Sequence, residues 1–143
     1  MRILHTTQGD ITSTITLDDE AATLEYGRHL AHSLSGGMVV TLQGDLGAGK
    51  TTLVKGLAEG LGIREVITSP TFVLMRFYDT GNKDIKRLCH IDAYRLTSAQ
   101  DLQMIGVEEY INNPDTLTVI EWPERVEGII PEGAITIIFD EIV

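Results

Sequence analysis

A chain of 143 residues, 43% apolar and 22% charged, has the size and composition of one domain with a real core, which argues against disorder as its main state and against a fibrous chain. No apolar run approaches the ~18 residues that a membrane span needs. Eleven Lys and Arg against twenty-one Asp and Glu give a net charge of −10, which argues against a protein that grips RNA or DNA unaided, since that affinity rests on neutralised phosphates. The opening MRILHTTQGD lacks the apolar core of a signal peptide, and the single Cys89 cannot form an internal disulfide. The expectation is one soluble, cytoplasmic domain over residues 1–143, with no membrane contact.

The charge is unevenly spread. Residues 39–95 carry eight basic and six acidic side chains, while residues 96–143 carry only Arg125 against ten acidic ones. The middle is where a small anion sits most easily. The acidic last third reads as a solvated face or as a docking surface for a basic partner.

In chain order, Thr16 with Asp19 three residues on resembles a capping box. Behind it, Ala21, Leu24, Gly27, Leu30, Ala31 and Leu34 share one helical face, closed by Gly36-Gly37. Met38–Leu42 is a short β-branched apolar run, a buried strand. A second helix runs from Lys50 to about Leu61. Phe72–Tyr78 and Ile85–Ile91 flank the turn-rich Asp79-Thr80-Gly81-Asn82 and predict a hairpin. Ser98 opens a helix that reaches Gly106. Leu117–Ile120 and Ala134–Phe139 are the last strands. This alternation predicts an α/β fold, a mostly parallel central sheet with antiparallel additions and flanking helices.

Gly44-Asp45-Leu46-Gly47-Ala48-Gly49-Lys50-Thr51 fits G-x-x-x-x-G-K-[ST] at every fixed position, between a predicted strand and a predicted helix. Glycines let the backbone turn successive N–H groups toward phosphate oxygens, and the helix N-terminus adds unpaired donors and partial positive charge. Lys50 is placed to reach the β- and γ-phosphates, its side chain directed at solvent or phosphate, and the Thr51 hydroxyl to ligate Mg²⁺. A dinucleotide fingerprint fits worse, because its third glycine would fall on Thr52. Such a loop needs a carboxylate for the metal's water shell, usually at the end of an apolar strand. Glu121 after Leu117–Ile120 and Asp92 after Leu88–Ile91 both qualify.

Weaker signals read as structural. His29 and His32 lack a third ligand, and Cys89 has the parity of a buried thiol. His90 and Asp92 share one strand face, as a hydrogen-bonded pair or as neighbours of a nucleotide. Trp122 reads as a core or cleft-edge ring. Asn82-Lys83-Asp84 only approximates the guanine motif N-K-x-D, and no D-x-x-G occurs, so ATP is the better ligand. One arginine in the last 48 residues offers no phosphoryl clamp, which favours slow hydrolysis over a small-molecule kinase. A nucleotide-binding interaction module without turnover stays open beside them.

Four blocks together, Gly44–Thr52, Ser69-Pro70-Thr71-Phe72, His90-Ile-Asp-Ala-Tyr-Arg-Leu96 and Ile120-Glu-Trp-Pro-Glu124, resemble the TsaE (YjeE) family in order and spacing, over roughly residues 15–140. The resemblance implies a P-loop ATPase required for threonylcarbamoyladenosine formation at position 37 of tRNAs reading codons that start with A. It implies action with the TsaB–TsaD pair, TsaC supplying threonylcarbamoyl-AMP, and tRNA met only through that complex. Carried over by residue, it puts the phosphates on Gly47, Ala48, Gly49, Lys50, Thr51 and Thr52, and Mg²⁺ near Thr51 and Glu121. Asp92, Glu121 and Thr71 become catalytic, Thr71 as the γ-phosphate sensor of a switch-like segment. Glu20 matches a position beside the base. The family usually continues past the Ala134–Phe139 strand through another strand with an arginine, and the resemblance leaves contacts supplied there unassigned.

Overall fold

In the computed structural model, residues 1–45, 47–67 and 75–141 are described. The expected switch-like segment Ser69-Pro70-Thr71, the sensor Thr71 and the first part of the predicted Phe72–Tyr78 strand lie outside them. Seven strands among the described residues form one sheet in the order β2-β1-β7-β3-β6-β5-β4. These are β1 (Arg2–Gln8), β2 (Ile11–Leu17), β3 (Val39–Gln43), β4 (Met75–Asp79), β5 (Arg87–Asp92), β6 (Thr116–Glu121) and β7 (Ile135–Glu141). The middle four, β7-β3-β6-β5, run parallel, while β4 pairs antiparallel at one edge and the β1–β2 hairpin at the other. The expected mixed α/β sheet is there, with the strand ends among the described residues displaced by one or two positions.

The helices are α1 (Glu20–Ala31), α2 (Lys50–Gly60), α3 (Ala99–Met104) and α4 (Val107–Ile111), with two 3₁₀ turns at Pro123–Arg125 and Glu127–Ile129. They divide between the two sheet faces. Leu53, Val54 and Leu57 of α2 pack with Leu42, Val119 and Ile137, and the other face joins Cys89, Ile91 and Ile120 to Leu102 and Val107. Helices α1 and α2 touch backbone to backbone. A methyl group on Gly27 would lie 2.5 Å from the Leu53 carbonyl oxygen, so only glycine permits that spacing.

One expectation is corrected, and one strand pair is new. Thr16 is no helix cap. It sits in β2, and Asp19 caps α1, its carboxylate accepting the Ala22 N–H at 2.8 Å. The β1–β2 hairpin itself was not expected, although Gly9-Asp10 between two β-branched runs is its signal, and Gly9 takes φ +59° in the turn. The Ser98 helix reaches Gly106 as expected: Ser98 is the N-cap of α3, and the Gly106 N–H closes the helix on the Gln103 carbonyl at 3.1 Å. At φ +81° Gly106 then caps the short α4. The 79–82 turn is confirmed, with the Asn82 side-chain oxygen accepting the amides of Asp84 and Ile85 at 2.8 and 3.0 Å. That explains the false guanine motif as turn chemistry.

Candidate active site

The phosphate-type loop follows β3 and opens α2. Gly47 and Gly49 adopt φ +79° and +102°, which L side chains rarely reach, so the loop geometry requires glycine at both. Gly49 is the N-cap of α2 and supplies no side-chain cap. The first N–H groups of α2, at Lys50, Thr51 and Thr52, have no carbonyl one turn back to bond. The loop is braced from the sheet's far edge, where the Arg2 guanidinium donates to the Gly47 carbonyl at 2.8 Å.

Glu20, Gly47, Gly49, Lys50, Thr51, Thr52, Asp92 and Glu121 line one cavity of about 700 Å³. The sequence reading thus put eight residues in one place. Ala48 departs from it. It is absent from the cavity wall, its methyl packs on the core, and its N–H donates to the Asp45 carbonyl at 3.1 Å. Met1, Arg2, Asp19, Thr23, Tyr94, Arg95 and Trp122 complete the wall and were not expected there, save Trp122 as a cleft-edge ring. Arg2 could not have been found, since nothing local pairs β1 with β7. Tyr94 and Arg95 stand in the block that carried the family resemblance.

Lys50 lines the phosphate-side cavity and is more enclosed than a side chain directed at solvent. It is 5% exposed, its ammonium donates to the Gly44 carbonyl at 2.5 Å, and the Trp122 ring covers it with a centroid 3.9 Å away. Burial pushes the ammonium below its ordinary value of 10.5, against the pull of Glu121, Asp92, Glu124 and Asp45. Trp122 takes φ +61°, the one non-glycine residue with positive φ among those described, and its ring meets Tyr94 at 4.9 Å. A bulky residue held in that conformation marks a place where the surroundings over-determine the backbone.

The two carboxylates end adjacent parallel strands, Asp92 directly beside Glu121 in the β5–β6 register. Asp92 accepts the Tyr94 amide at 2.9 Å. Burial first, and then the neighbouring Glu121 charge, raise its carboxyl above the ordinary 3.8, while the Tyr94 amide, His90 and Lys50 oppose that. His90 does not bond Asp92. Its Nε2 meets Glu121 Oε2 at 2.6 Å, both side chains buried. Cys89 faces the opposite core, where burial pushes its thiol up to about 12, and it is inert. His29 and His32 are exposed on or beside α1.

The cavity therefore offers amide donors and an ammonium for an anion on one side, and hard oxygen donors for a small cation on the other. Among the described residues no cluster of three His, Cys, Asp or Glu side chains could hold a metal by itself, and no helix is long and apolar enough to cross a membrane.

A family model described as "Threonylcarbamoyl adenosine biosynthesis protein TsaE" matches residues 17–142. A Treponema pallidum protein named tRNA threonylcarbamoyladenosine biosynthesis protein TsaE is 47% identical over 115 residues, 80% of this chain and 82% of that one. The protein of that name from Haemophilus influenzae is 37% identical over 129 residues, covering 87% and 79% of the two chains. Among solved structures, the crystal structure of YdiB from Bacillus subtilis superposes with a TM-score of 0.65 at 29% identity, covering 96% of this chain and 76% of that one. The fold is thereby P-loop NTPase-like.

Proposed function

Because the chain belongs to the TsaE family, whose members serve threonylcarbamoyladenosine biosynthesis in tRNA, we propose that it is a Mg²⁺-dependent ATPase acting as a nucleotide-controlled switch on the TsaB–TsaD pair. One observation carries the ATPase reading: the uncapped start of α2, Lys50 and Thr51 share a cavity with the strand-end carboxylates Asp92 and Glu121. The α2 amides and Lys50 bind the phosphates, with Gly47 and Gly49 shaping the loop and Thr52 and Glu20 on the nucleotide side.

The residues fit Mg²⁺. That ion takes one or two oxygen ligands from the protein and fills its shell with phosphate oxygens and water, and the Thr51 hydroxyl and Glu121 carboxylate on one cavity wall are donors of that kind. Thr51 and Glu121 hold it, and when bound it offsets charge that develops on the transferring phosphoryl group. Asp92 orients the attacking water from its place beside Glu121 at the ends of adjacent strands. Thr71 senses the γ-phosphate within the switch-like segment. The acidic chain works in the cytoplasm through protein partners and leaves the tRNA to them, as its charge of −10 favours.

The test is nucleotide binding and hydrolysis with and without Mg²⁺, alone and with purified TsaB–TsaD. The expected outcome is Mg²⁺-dependent hydrolysis that rises with the partners, and a TsaB–TsaD affinity that differs between ADP and a non-hydrolysable ATP analogue. Equal affinities and no stimulation would leave a passive nucleotide-binding module. Phosphoryl transfer to a small acceptor would make it a kinase.

A further inference from the structure

Two strand-end carboxylates face the same cavity, and their supports differ. Asp92 is held by a backbone amide. Among the described residues, the Glu121 carboxylate receives one hydrogen bond, from a side chain 31 positions earlier, His90. In the parallel β5–β6 register His90 lies beside Val119 and Asp92 beside Glu121. The imidazole therefore reaches diagonally along the sheet face to the neighbouring strand and leaves the carboxylate two residues on in its own strand.

The ring is expensive where it stands. His90 is 0% exposed, on the same sheet face as Leu88, Leu117 and Val119, and its Nδ1 finds no hydrogen-bond partner among the described residues. A leucine would fill that volume with no unpaired polar atom. Core packing alone does not account for a histidine here, whereas its second nitrogen, 2.6 Å from Glu121, does. With Nε2–H donating, a neutral ring leaves on Nδ1 a bare lone pair, the cheaper of the two unpaired groups to bury.

We propose that His90 is a positioning residue: it locks the Glu121 side chain in the rotamer that presents its free oxygen to the cavity, and so sets the protein's affinity for Mg²⁺ with nucleotide. The proposal rests on the reading of Glu121 as a Mg²⁺ carboxylate. Partners of this kind orient ligating groups, and their loss costs about 10- to 100-fold in metal affinity.

The experiment uses the full chain with His90→Phe, which keeps a ring and removes the donor, and His90→Gln, whose amide N–H can restore it. A fluorescent ADP analogue is titrated at fixed protein over a range of Mg²⁺ concentrations and again without Mg²⁺, and crystal structures of both variants record the Glu121 rotamer. In His90→Phe the Mg²⁺ concentration for half-maximal binding should rise about 10- to 100-fold, with Mg²⁺-free affinity unchanged and Glu121 displaced. His90→Gln should return both to near wild type. A folded His90→Phe with a wild-type Mg²⁺ midpoint, or with Glu121 in place, overturns the proposal, as does an equal loss in both variants. If His90→Phe does not fold, His90→Asn, too short to reach Glu121, carries the same expectation. A wild-type protein indifferent to Mg²⁺ refutes the metal reading itself, and the Glu121 rotamer then still decides the positioning role.

Discussion

Helices α1 and α2 both begin at the same cavity, yet their N-termini are built in opposite ways. Helix α1 starts with Asp19 accepting the Ala22 amide and Glu20 in its first turn, so its own carboxylates satisfy its donors and its dipole. Helix α2 starts with a glycine, no side-chain cap, no acidic residue in its first turn, and a lysine. The two ends are joined where the Thr52 hydroxyl donates to Glu20 at 3.3 Å. A fold needs helix ends satisfied, and α1 shows that this chain can do so with one aspartate. The open end of α2 is therefore the place where the proposed phosphate group would supply the missing acceptors.

Lys50→Ala tests that contrast most strongly. The variant should remain folded and lose about 100-fold in ADP affinity by calorimetry, because charge-assisted hydrogen bonds of about 1.5–3 kcal/mol have no substitute nearby. Inorganic sulfate should raise the melting temperature of wild type and not of this variant. Gly49→Ala comes next. A Cβ at φ +102° strains the loop by about 1–2 kcal/mol, so nucleotide affinity should fall roughly tenfold. At the other helix the effect should reverse in kind. Asp19→Ala should cost about 1 kcal/mol in urea unfolding, as for a lost N-cap, a larger change than in nucleotide affinity.

The smallest effect is a pH dependence at Asp92. Its raised carboxyl keeps its proton in the native state to higher pH than in the unfolded chain. Stability from this group is present below the ordinary 3.8 and lost as pH climbs through the raised native value. Asp92→Asn keeps an oxygen for the Tyr94 amide and removes that loss. Its stability advantage over wild type, from urea unfolding at a series of pH values, should grow across that window and level off above it. A constant difference would show that burial does not disfavour the charge. Hydrolysis by the same variant should fall more than nucleotide binding.

What the chain's order reveals about this site follows the range of the interactions. The loop is local: a glycine spacing, a lysine and a following apolar helix specify α2 and its start within a few residues. Glu121 and Asp92 were legible as ends of apolar strands, since a charge after a buried run has few other places to stand. The β1–β2 hairpin escaped because β2 is rich in threonine and only Leu17 of it is buried, so its apolar alternation is weak, and Thr16 mimicked a helix cap. The His90–Glu121 bond and the Arg2 brace depend on which strands become neighbours, and local pattern carries no such information. Lys50 was legible as a phosphate-binding lysine, but its cover was not, because only the folded chain puts the Trp122 ring over it.

Strand β7 lies between β1 and β3, so residues 135–141 separate the first hairpin from the rest of the sheet. During synthesis, β1 has no partner among the described strands other than β2 until β7 has been made. The α2 loop, β3, β5 and β6 can assemble earlier, because their pairings need nothing later than Glu121. Arg2 reaches the Gly47 carbonyl only after β7 has docked and drawn β1 in beside it. Such long-range closure makes folding slow and assigns it an order. The nascent chain thus holds an unbraced phosphate loop until β7 has been made, and the loop gains its Arg2 brace at the same step as the sheet gains β1.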